Sequence, residues 1–277
     1  MIIDGRAIAG KYIEQIKKRV THAGSKKPAP LLVVIQFGSD VVTNQFIGIK
    51  SKIAERVGAL ICLERLPENI STKDAIAFVA RSAGEKNVAG IIVQLPVPKH
   101  INQKVLLDAI PPKKDPDVLS ARSLAGFAEG TLEIMPPVVS AVGVILSENG
   151  VTLNEDTPVL VIGQGQLVGK PVVTWLQQGG VRPVIADSKT TNLSALTKKA
   201  KVIISGAGSP GLITPDMITD GAIVVDAGTS EQGGKIAGDA DPTCAEKCKL
   251  FTPVPGGVGP VAVAMLFHNL VTLWREK

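Results

Sequence analysis

The sequence predicts an α/β protein of two domains, the second of them Rossmann-like. Three observations lead there. Short, largely apolar runs recur at 31–35, 88–94, 159–162, 201–205 and 222–226, with helix-length segments between most of them. Runs of that length without polar alternation mark parallel strands covered on both faces. The chain has 277 residues, room for one large or two ordinary domains, and the alternation of strand and helix pauses at 120–137. The stretch 159–187 then runs strand, tight turn, helix, strand.

In that stretch the strand leads straight into Gly163-Gln164-Gly165-Gln166-Leu167-Val168-Gly169. Gly163 and Gly165 permit a sharp turn and a close approach to a pyrophosphate. The helix that follows offers free N–H groups and the positive end of its dipole. The spacing G-x-G-x-x-x-G is one residue longer than the commonest fingerprint, and alone it describes a tight turn in any α/β protein. The context decides for a dinucleotide site: a strand before, a helix after, and an acid at the end of the next apolar run, 181–186. That acid, Asp187, follows Gly163 near the roughly 20-residue offset where a carboxylate holds the ribose 2′-OH of NAD. A carboxylate there repels the 2′-phosphate of NADP, and Lys189 offsets part of the repulsion. NAD is the expected cofactor and NADP the alternative. Its expected contacts are Gly163, Gln164, Gly165, Val168, Gly169, Asp187 and Ser188. Gly206 and Thr229 join them from the small-residue loops after two later strands.

The other elements follow in order. Residues 1–24 open with a short apolar piece and continue as a helix, with Ile8, Tyr12, Ile16 and Val20 in one stripe. A basic loop at 24–30 leads to strand 31–35. Segment 46–57 reads as a helix with Phe46, Ile49, Ile53 and Val57 toward the core. Lys50 lies at the edge of that stripe, where spacing alone makes it a solvated lysine. A short strand at 61–63 precedes a helix at 71–84, with Ser71 or Thr72 as N-cap. Strand 88–94 ends on Gln94. Polar residues at the C-terminal ends of parallel strands are where α/β proteins bind ligands, although a loop-capping amide is the plainer role. A helix at 102–110 stops at Pro111-Pro112, before the charged loop 113–117. These elements make one three-layer domain ending near residue 120. Residues 120–137 read as a connector with a turn at Gly130. A helix at 140–148 enters the dinucleotide stretch. The final helix, 261–275, is apolar on most sides and expected to be buried, with Pro260 in its first turn.

Composition excludes some classes. Hydrophobic residues make up 45% of the chain, enough for sizeable cores. The net charge is +5, but Lys and Arg are scattered and aromatics reach only 3%. That disfavours nucleic acid and suits small anionic ligands. An odd number of cysteines argues against a disulfide framework. Cys244 and Cys248 lack a second pair of metal ligands, so no metal is expected and the compartment reads as a reducing cytoplasm. There is no signal peptide and no apolar run long enough for a bilayer, so no membrane partner is expected.

Several stretches together resemble one family. They are 90–98 (Gly-Ile-Ile-Val-Gln-Leu-Pro-Val-Pro), 114–117 (Lys-Asp-Pro-Asp), 163–171, 187–190 (Asp-Ser-Lys-Thr) and 252–260 (Thr-Pro-Val-Pro-Gly-Gly-Val-Gly-Pro). In this order, over almost the whole chain, they are similar to the methylenetetrahydrofolate dehydrogenase/cyclohydrolase (FolD) family. The resemblance implies two α/β domains around a cleft, with the last helix returning to the first domain. A folate-binding catalytic domain would cover 1–120 with 260–277, and an NAD(P)-binding domain 137–259. It implies oxidation of 5,10-methylenetetrahydrofolate to the methenyl form, hydrolysis of that to 10-formyltetrahydrofolate, and a homodimer. The family's lysine matches Lys50, its glutamine Gln94 and its pterin-binding aspartate Asp117, the expected catalytic set. Phe46, Pro255, Gly256 and Gly257 are expected to join them around the folate.

The departures are specific. The family's active-site tyrosine is Phe46 here, and its Asp-Val-Asp-Gly is Asp115-Pro116-Asp117-Val118. Its Pro-Cys-Thr-Pro aligns with Val138-Val139-Ser140-Ala141. Its Gly-Arg-Ser is Gly163-Gln164-Gly165, and its His-Ser-Lys-Thr begins with Asp187. The lost arginine and the gained aspartate both point away from NADP. Phe46 cannot donate a tyrosine's hydrogen bond, so dehydrogenation is expected to survive better than hydrolysis. A paralogue that binds folate or dinucleotide without chemistry, and a dehydrogenase for another small substrate, are the rival readings.

Overall fold

The computed structural model describes residues 1–24, 27–39, 41–232 and 235–275. The chain divides into two packed units, one of Gly10–Pro137 with Val263–Lys277 and one of Met1–Ala9 with Val138–Ala262.

The first unit is built on a three-stranded parallel sheet. Its elements are α1 (Gly5–Gly24), β1 (Leu31–Phe37), α2 (Val41–Val57), β2 (Leu60–Leu66), α3 (Thr72–Gly84), β3 (Val88–Val93), α4 (Gln103–Asp108), a 3-10 turn at Pro112–Lys114, and α5 (Ala121–Ala128). The strand order is β2-β1-β3. Every residue of β3 is buried, as are all of β1 after Leu31. Each buried Val, Ile or Leu contributes about 1.5–3 kcal/mol, so sheet burial outweighs any local propensity here. Helix starts follow the sequence. Asp4 caps α1 by accepting the N–H groups of Arg6 (3.0 Å) and Ala7 (3.1 Å). Ser71 caps α3 through the N–H of Asp74 (3.1 Å), and Asn102 caps α4 through that of Val105 (3.2 Å). On α1, Ile8, Ile16 and Val20 are buried and Tyr12 is half-buried.

Two expectations fail in this unit. Ile49 is 45% exposed and is not a core residue. The inward stripe of α2 runs through Thr43, Ile47, Ala54 and Val57, all buried, with Ile53 at its edge. Lys50 fills the missing step of that stripe, so it is half-buried and not the solvated lysine its spacing suggested. The connector 120–137 also contains a helix, α5. Ser120 caps it by accepting the Ser123 N–H (3.2 Å), and it buries Phe127. Gly126 and the left-handed Gly130 (φ 69°) interrupt its pattern in the sequence.

The second unit carries α6 (Pro137–Glu148), β4 (Val159–Ile162), α7 (Gly169–Gln178), β5 (Val184–Ala186), α8 (Leu193–Thr197), β6 (Val202–Ser205), β7 (Ile223–Asp226), β8 (Ser230–Gln232), β9 (Lys235–Ala237), β10 (Leu250–Phe251) and the start of α9 (Val258–Arg275). A parallel sheet runs β10-β7-β6-β4-β5, and β8 pairs antiparallel with β9. β4, β6 and β7 are buried throughout. The apolar run 181–186 makes a strand only in its last three residues. β5 lies at the sheet edge, so Val184 and Ile185 stay 50% and 43% exposed. The chain's first residues extend this unit: the Phe251 N–H donates to Met1 O and the Ile3 N–H to Phe251 O, both 2.9 Å.

From Val263 onward α9 groups with the first unit. There the Arg19 guanidinium donates to Thr272 Oγ1 (3.1 Å) and the Trp274 indole to Pro28 O (3.1 Å). Contrary to the sequence reading, α9 is long and apolar enough to cross a membrane, with mean hydropathy 1.2. It is 61% buried inside the protein, as a core helix is.

Val118 has φ 55° and is fully buried. A β-branched residue in that region is strained, by about 1–2 kcal/mol. Val118→Gly relieves that strain while giving up burial of about 1.5–3 kcal/mol. Val118→Ala loses similar burial and keeps most of the strain. In urea unfolding the glycine variant is expected to be at least as stable as the alanine variant. At an unstrained buried valine, alanine would lead by glycine's usual backbone cost of about 0.5–1 kcal/mol, and that order would refute the strain.

Candidate active site

In the first unit, three elements bring the expected polar residues together. Lys50 comes from α2, Gln94 from the end of β3, and Asp117 from the loop after the 3-10 turn. The Lys50 ammonium donates to Gln94 Oε1 at 2.6 Å. The other end of that amide donates to Leu95 O (3.1 Å), and the Gln94 N–H donates to Ile35 O of β1 (2.8 Å). Gln94 is therefore fixed at both ends before it meets the lysine. Phe46 falls on α2; its side chain lies outside the described residues.

Burial and charge oppose each other at this site. Burial pulls the Lys50 ammonium below its usual pKa, and the Asp117 carboxylate partly restores it. Burial pushes the Asp117 carboxyl up to about 6; the Lys50 charge works against that and the Asp115 carboxylate adds to it. Both groups are thus displaced toward neutral pH, where proton exchange is useful.

Several groups that the sequence reading missed hold Asp117 in place. Asp115 is buried, and its carboxylate accepts the N–H groups of Leu119 (3.1 Å) and Ser120 (2.9 Å). Asn269, buried on α9, donates to Pro116 O (2.9 Å) and Met135 O (2.7 Å). Gly90 lies so close that a Cβ there would sit 2.7 Å from Leu270 Cδ1 and 3.0 Å from Pro116 Cγ. The Asp-Pro-Asp run signalled a site, but nothing in spacing tied Asn269 to it.

The second unit carries the glycine turn. Gly163 has φ 92°, and its N–H donates to Ala186 O (2.8 Å) at the end of β5. The Gly206 N–H donates to Ile162 O (2.9 Å), and a Cβ on Gly206 would strike the Val168 side chain. A Cβ on Gly169 would overlap Gly163 O. Gln164 donates to Gly163 O (2.7 Å). No side chain caps the start of α7, yet its first turn does not offer the run of free N–H groups expected from the sequence: the Lys170 N–H donates to Gly165 O (3.2 Å), Pro171 has no N–H, and the Val172 N–H donates to Val168 O (3.0 Å). A Cβ on Gly165 would meet nothing within 4 Å, leaving space for a ligand to approach. These features fit a dinucleotide. Asp187 follows β5 and is exposed; its Oδ1 accepts the Lys189 N–H (2.9 Å). Ser188 and Thr229 are exposed on the neighbouring loops. Pro255, Gly256 and Gly257 form a separate turn, where the Gly5 N–H donates to Gly256 O (2.9 Å).

Cys244 and Cys248 are free, and burial pushes their thiols up to about 12 and 11, so both stay protonated. Among the described residues no group of His, Cys, Asp and Glu could hold a metal ion.

The fold and these residues define a two-domain α/β enzyme of the dinucleotide-binding class. Two family models match the chain. One is the tetrahydrofolate dehydrogenase/cyclohydrolase catalytic domain over residues 3–117, and the other is the NAD(P)-binding domain of the same family over residues 136–277. The chain belongs to the tetrahydrofolate dehydrogenase/cyclohydrolase family. It is 34% identical over 277 residues to the bifunctional protein FolD of Lactobacillus gasseri, covering 100% of this chain and 98% of the relative. The crystal structure of the bifunctional FolD enzyme of Campylobacter jejuni superposes with a TM-score of 0.95 at 32% identity, covering 100% of this chain and 99% of that one. The Trypanosoma brucei enzyme, solved with NADP and an inhibitor, gives 0.94 at 31% identity, covering 100% and 97%.

The two glycines make a paired prediction. Gly169→Ala is expected to cost about 1–3 kcal/mol or more in urea unfolding, because backbone must move. Gly165→Ala is expected to leave stability within about 1 kcal/mol while weakening dinucleotide binding about tenfold in calorimetry. Equal stability of the two variants would refute the close approach at Gly169.

Proposed function

We propose that this chain oxidises 5,10-methylenetetrahydrofolate to the 5,10-methenyl form with NAD, and hydrolyses that product to 10-formyltetrahydrofolate at a lower relative rate. The observation that supports it most is the 2.6 Å Lys50–Gln94 hydrogen bond beside the perturbed Asp117 carboxyl. We assign the folate to a domain of 1–120 with 260–277, and NAD(P) to 137–259. The setting is cytoplasmic and the assembly a homodimer, for which the exposed apolar edge strand β5 is the supporting feature.

The methylene carbon lies between two nitrogens whose lone pairs stabilise the cation left when hydride departs. The step needs positioning more than a base. The nicotinamide ring, when bound, supplies the hydride acceptor. Asp117 holds the pterin by accepting its N–H groups, in its charged form above about pH 6. Gln94 keeps the Lys50 amine aimed. We also assign Pro255, Gly256 and Gly257 to the folate.

Hydrolysis asks more of the protein. Water adds to the methenyl carbon and loses a proton, and one C–N bond then opens with that nitrogen taking a proton. Neutral Lys50 accepts the first proton and its ammonium returns it to the leaving nitrogen. Phe46 cannot donate a hydrogen bond to that step, so the hydrolase is the weaker activity.

Gln164 and Asp187 favour NAD: one removes the arginine that pairs with a 2′-phosphate, and the other brings a repelling carboxylate. Side-by-side oxidation is expected to give kcat/KM at least about tenfold higher with NAD than with NADP. A preference for NADP would overturn the assignment. Binding of folate with neither oxidation nor hydrolysis would instead establish the non-catalytic paralogue. Lys50→Met is expected to cut hydrolysis by about 100-fold or more while folate binding stays measurable by titration. Undiminished hydrolysis would remove Lys50 from the proton transfers.

A further inference from the structure

We propose that two buried carboxylates, Asp226 and Asp239, are positioning residues that lock the loops assigned to the cofactor onto the loop assigned to the folate. The ligands named rest on the proposed function; the joint itself rests on geometry.

Asp239 follows β9 and is fully buried. Its Oδ2 accepts the Ser205 hydroxyl (2.6 Å) and the Ala207 N–H (2.7 Å), and its Oδ1 accepts the Ser209 N–H (2.7 Å). One carboxylate thus gathers the end of β6 and the loop that begins at Gly206. Asp226 ends β7 and is 1% exposed. Its Oδ1 accepts the Gly228 N–H and its Oδ2 the Ala240 N–H, both 2.8 Å. That fixes the loop carrying Thr229 and ties it to the residue after Asp239. The Asp226 N–H donates to Thr252 Oγ1 (2.7 Å), at the entrance to the turn of Pro255 to Gly257.

The two acids interlock through glycine. A Cβ on Gly228 would sit inside the Asp239 carboxylate. One on Gly238 would overlap Asp226 Oδ2 and lie 2.8 Å from Val254. Three loops therefore share one small polar knot. Two neighbouring buried carboxylates are an expensive way to close a fold unless their oxygens are hydrogen-bonded. Burial does push the Asp226 carboxyl up, to about 6, with Asp239 adding to the rise. The return is that both oxygens of each acid accept backbone or hydroxyl hydrogens, which an amide cannot do. The loops are thereby set before any ligand arrives.

The test uses the full-length chain with Asp239→Asn, Asp226→Asn and the milder Ser205→Ala. NAD binding is measured by calorimetry, amide hydrogen exchange is measured without ligand, and KM and kcat are measured for both substrates. Asp239→Asn is expected to speed exchange at Ala207 and Ser209 and to raise the Kd and KM for NAD about tenfold, with kcat at saturation within about twofold. Asp226→Asn is expected to speed exchange at Gly228 and Ala240 and to raise the KM for both substrates. A merely structural role would lower kcat through a smaller active fraction and leave each KM unchanged, and that result would overturn the proposal. So would unchanged exchange and NAD affinity in Asp239→Asn. If that variant does not fold, Ser205→Ala decides, with a shift of about threefold in NAD affinity expected and none overturning the proposal. Failure of the wild-type chain to bind either nicotinamide dinucleotide would refute the function but not the joint, which the exchange data judge separately.

Discussion

The first amide past a parallel strand still donates to the neighbouring strand, as Gln94 does to Ile35 O and Gly206 to Ile162 O, but amides further along the loop leave the ladder and need other acceptors once buried. Much of this molecule follows from how that need is met. In the loop after the 3-10 turn, Asp115 accepts the N–H groups of Leu119 and Ser120. Beyond β6 and β7, Asp239 and Asp226 accept the N–H groups of Ala207, Ser209 and Gly228, and Asp226 also accepts that of Ala240 after β9. Just past β4, the ladder itself still serves: the Gly163 N–H donates to Ala186 O of β5. With the loops saturated by buried groups, Lys50 and Asp117 stand half-buried and electrostatically coupled.

Those two differ from the saturated acids in a way that magnitude makes clear. A fully paired buried carboxylate spends its oxygens on fixed donors. Asp117 instead faces Lys50 through charge, and burial outweighs that attraction for both groups. An isolated ion pair in a less buried place would stay fully charged at neutral pH. Here desolvation wins, which brings the acid and the amine toward each other on the pH scale. Gln94 holds Lys50 through a neutral acceptor, so it orients the side chain without placing a second carboxylate beside it.

How much of this the sequence discloses depends on whether the signal is local. The glycine turn is legible because strand, turn and helix adjoin in the chain, and Gln94 because it ends a strand. Lys50 is misread by a stripe counted from Phe46; counted from Thr43 through Ile47, Ala54 and Val57, the same lysine faces inward. The phase of a helix is set by its buried partners, and a count begun inside the helix inherits the error. Ile49 is exposed for the same reason. α5 escapes because eight residues with an internal glycine carry too little periodicity. Asn269, Asp226 and Asp239 are ordinary polar residues until tertiary structure supplies the carbonyls, amides and hydroxyls they bind.

Val118 shows which level of structure prevails when two disagree. A valine prefers extended backbone, and the family's glycine would accept the left-handed conformation at little cost. The conformation persists with valine because its neighbours dictate it. The Val118 N–H donates to Asp115 O (3.2 Å), Asp115 draws in the next two amides, and Asn269 and Gly90 pin Pro116 on the other side. Strain of about 1–2 kcal/mol is small against several buried hydrogen bonds whose loss would each cost about as much. The backbone at Asp117 is therefore a property of the tertiary ties around it. This site can depart from the family's residue at 118 and keep its carboxylate beside Lys50.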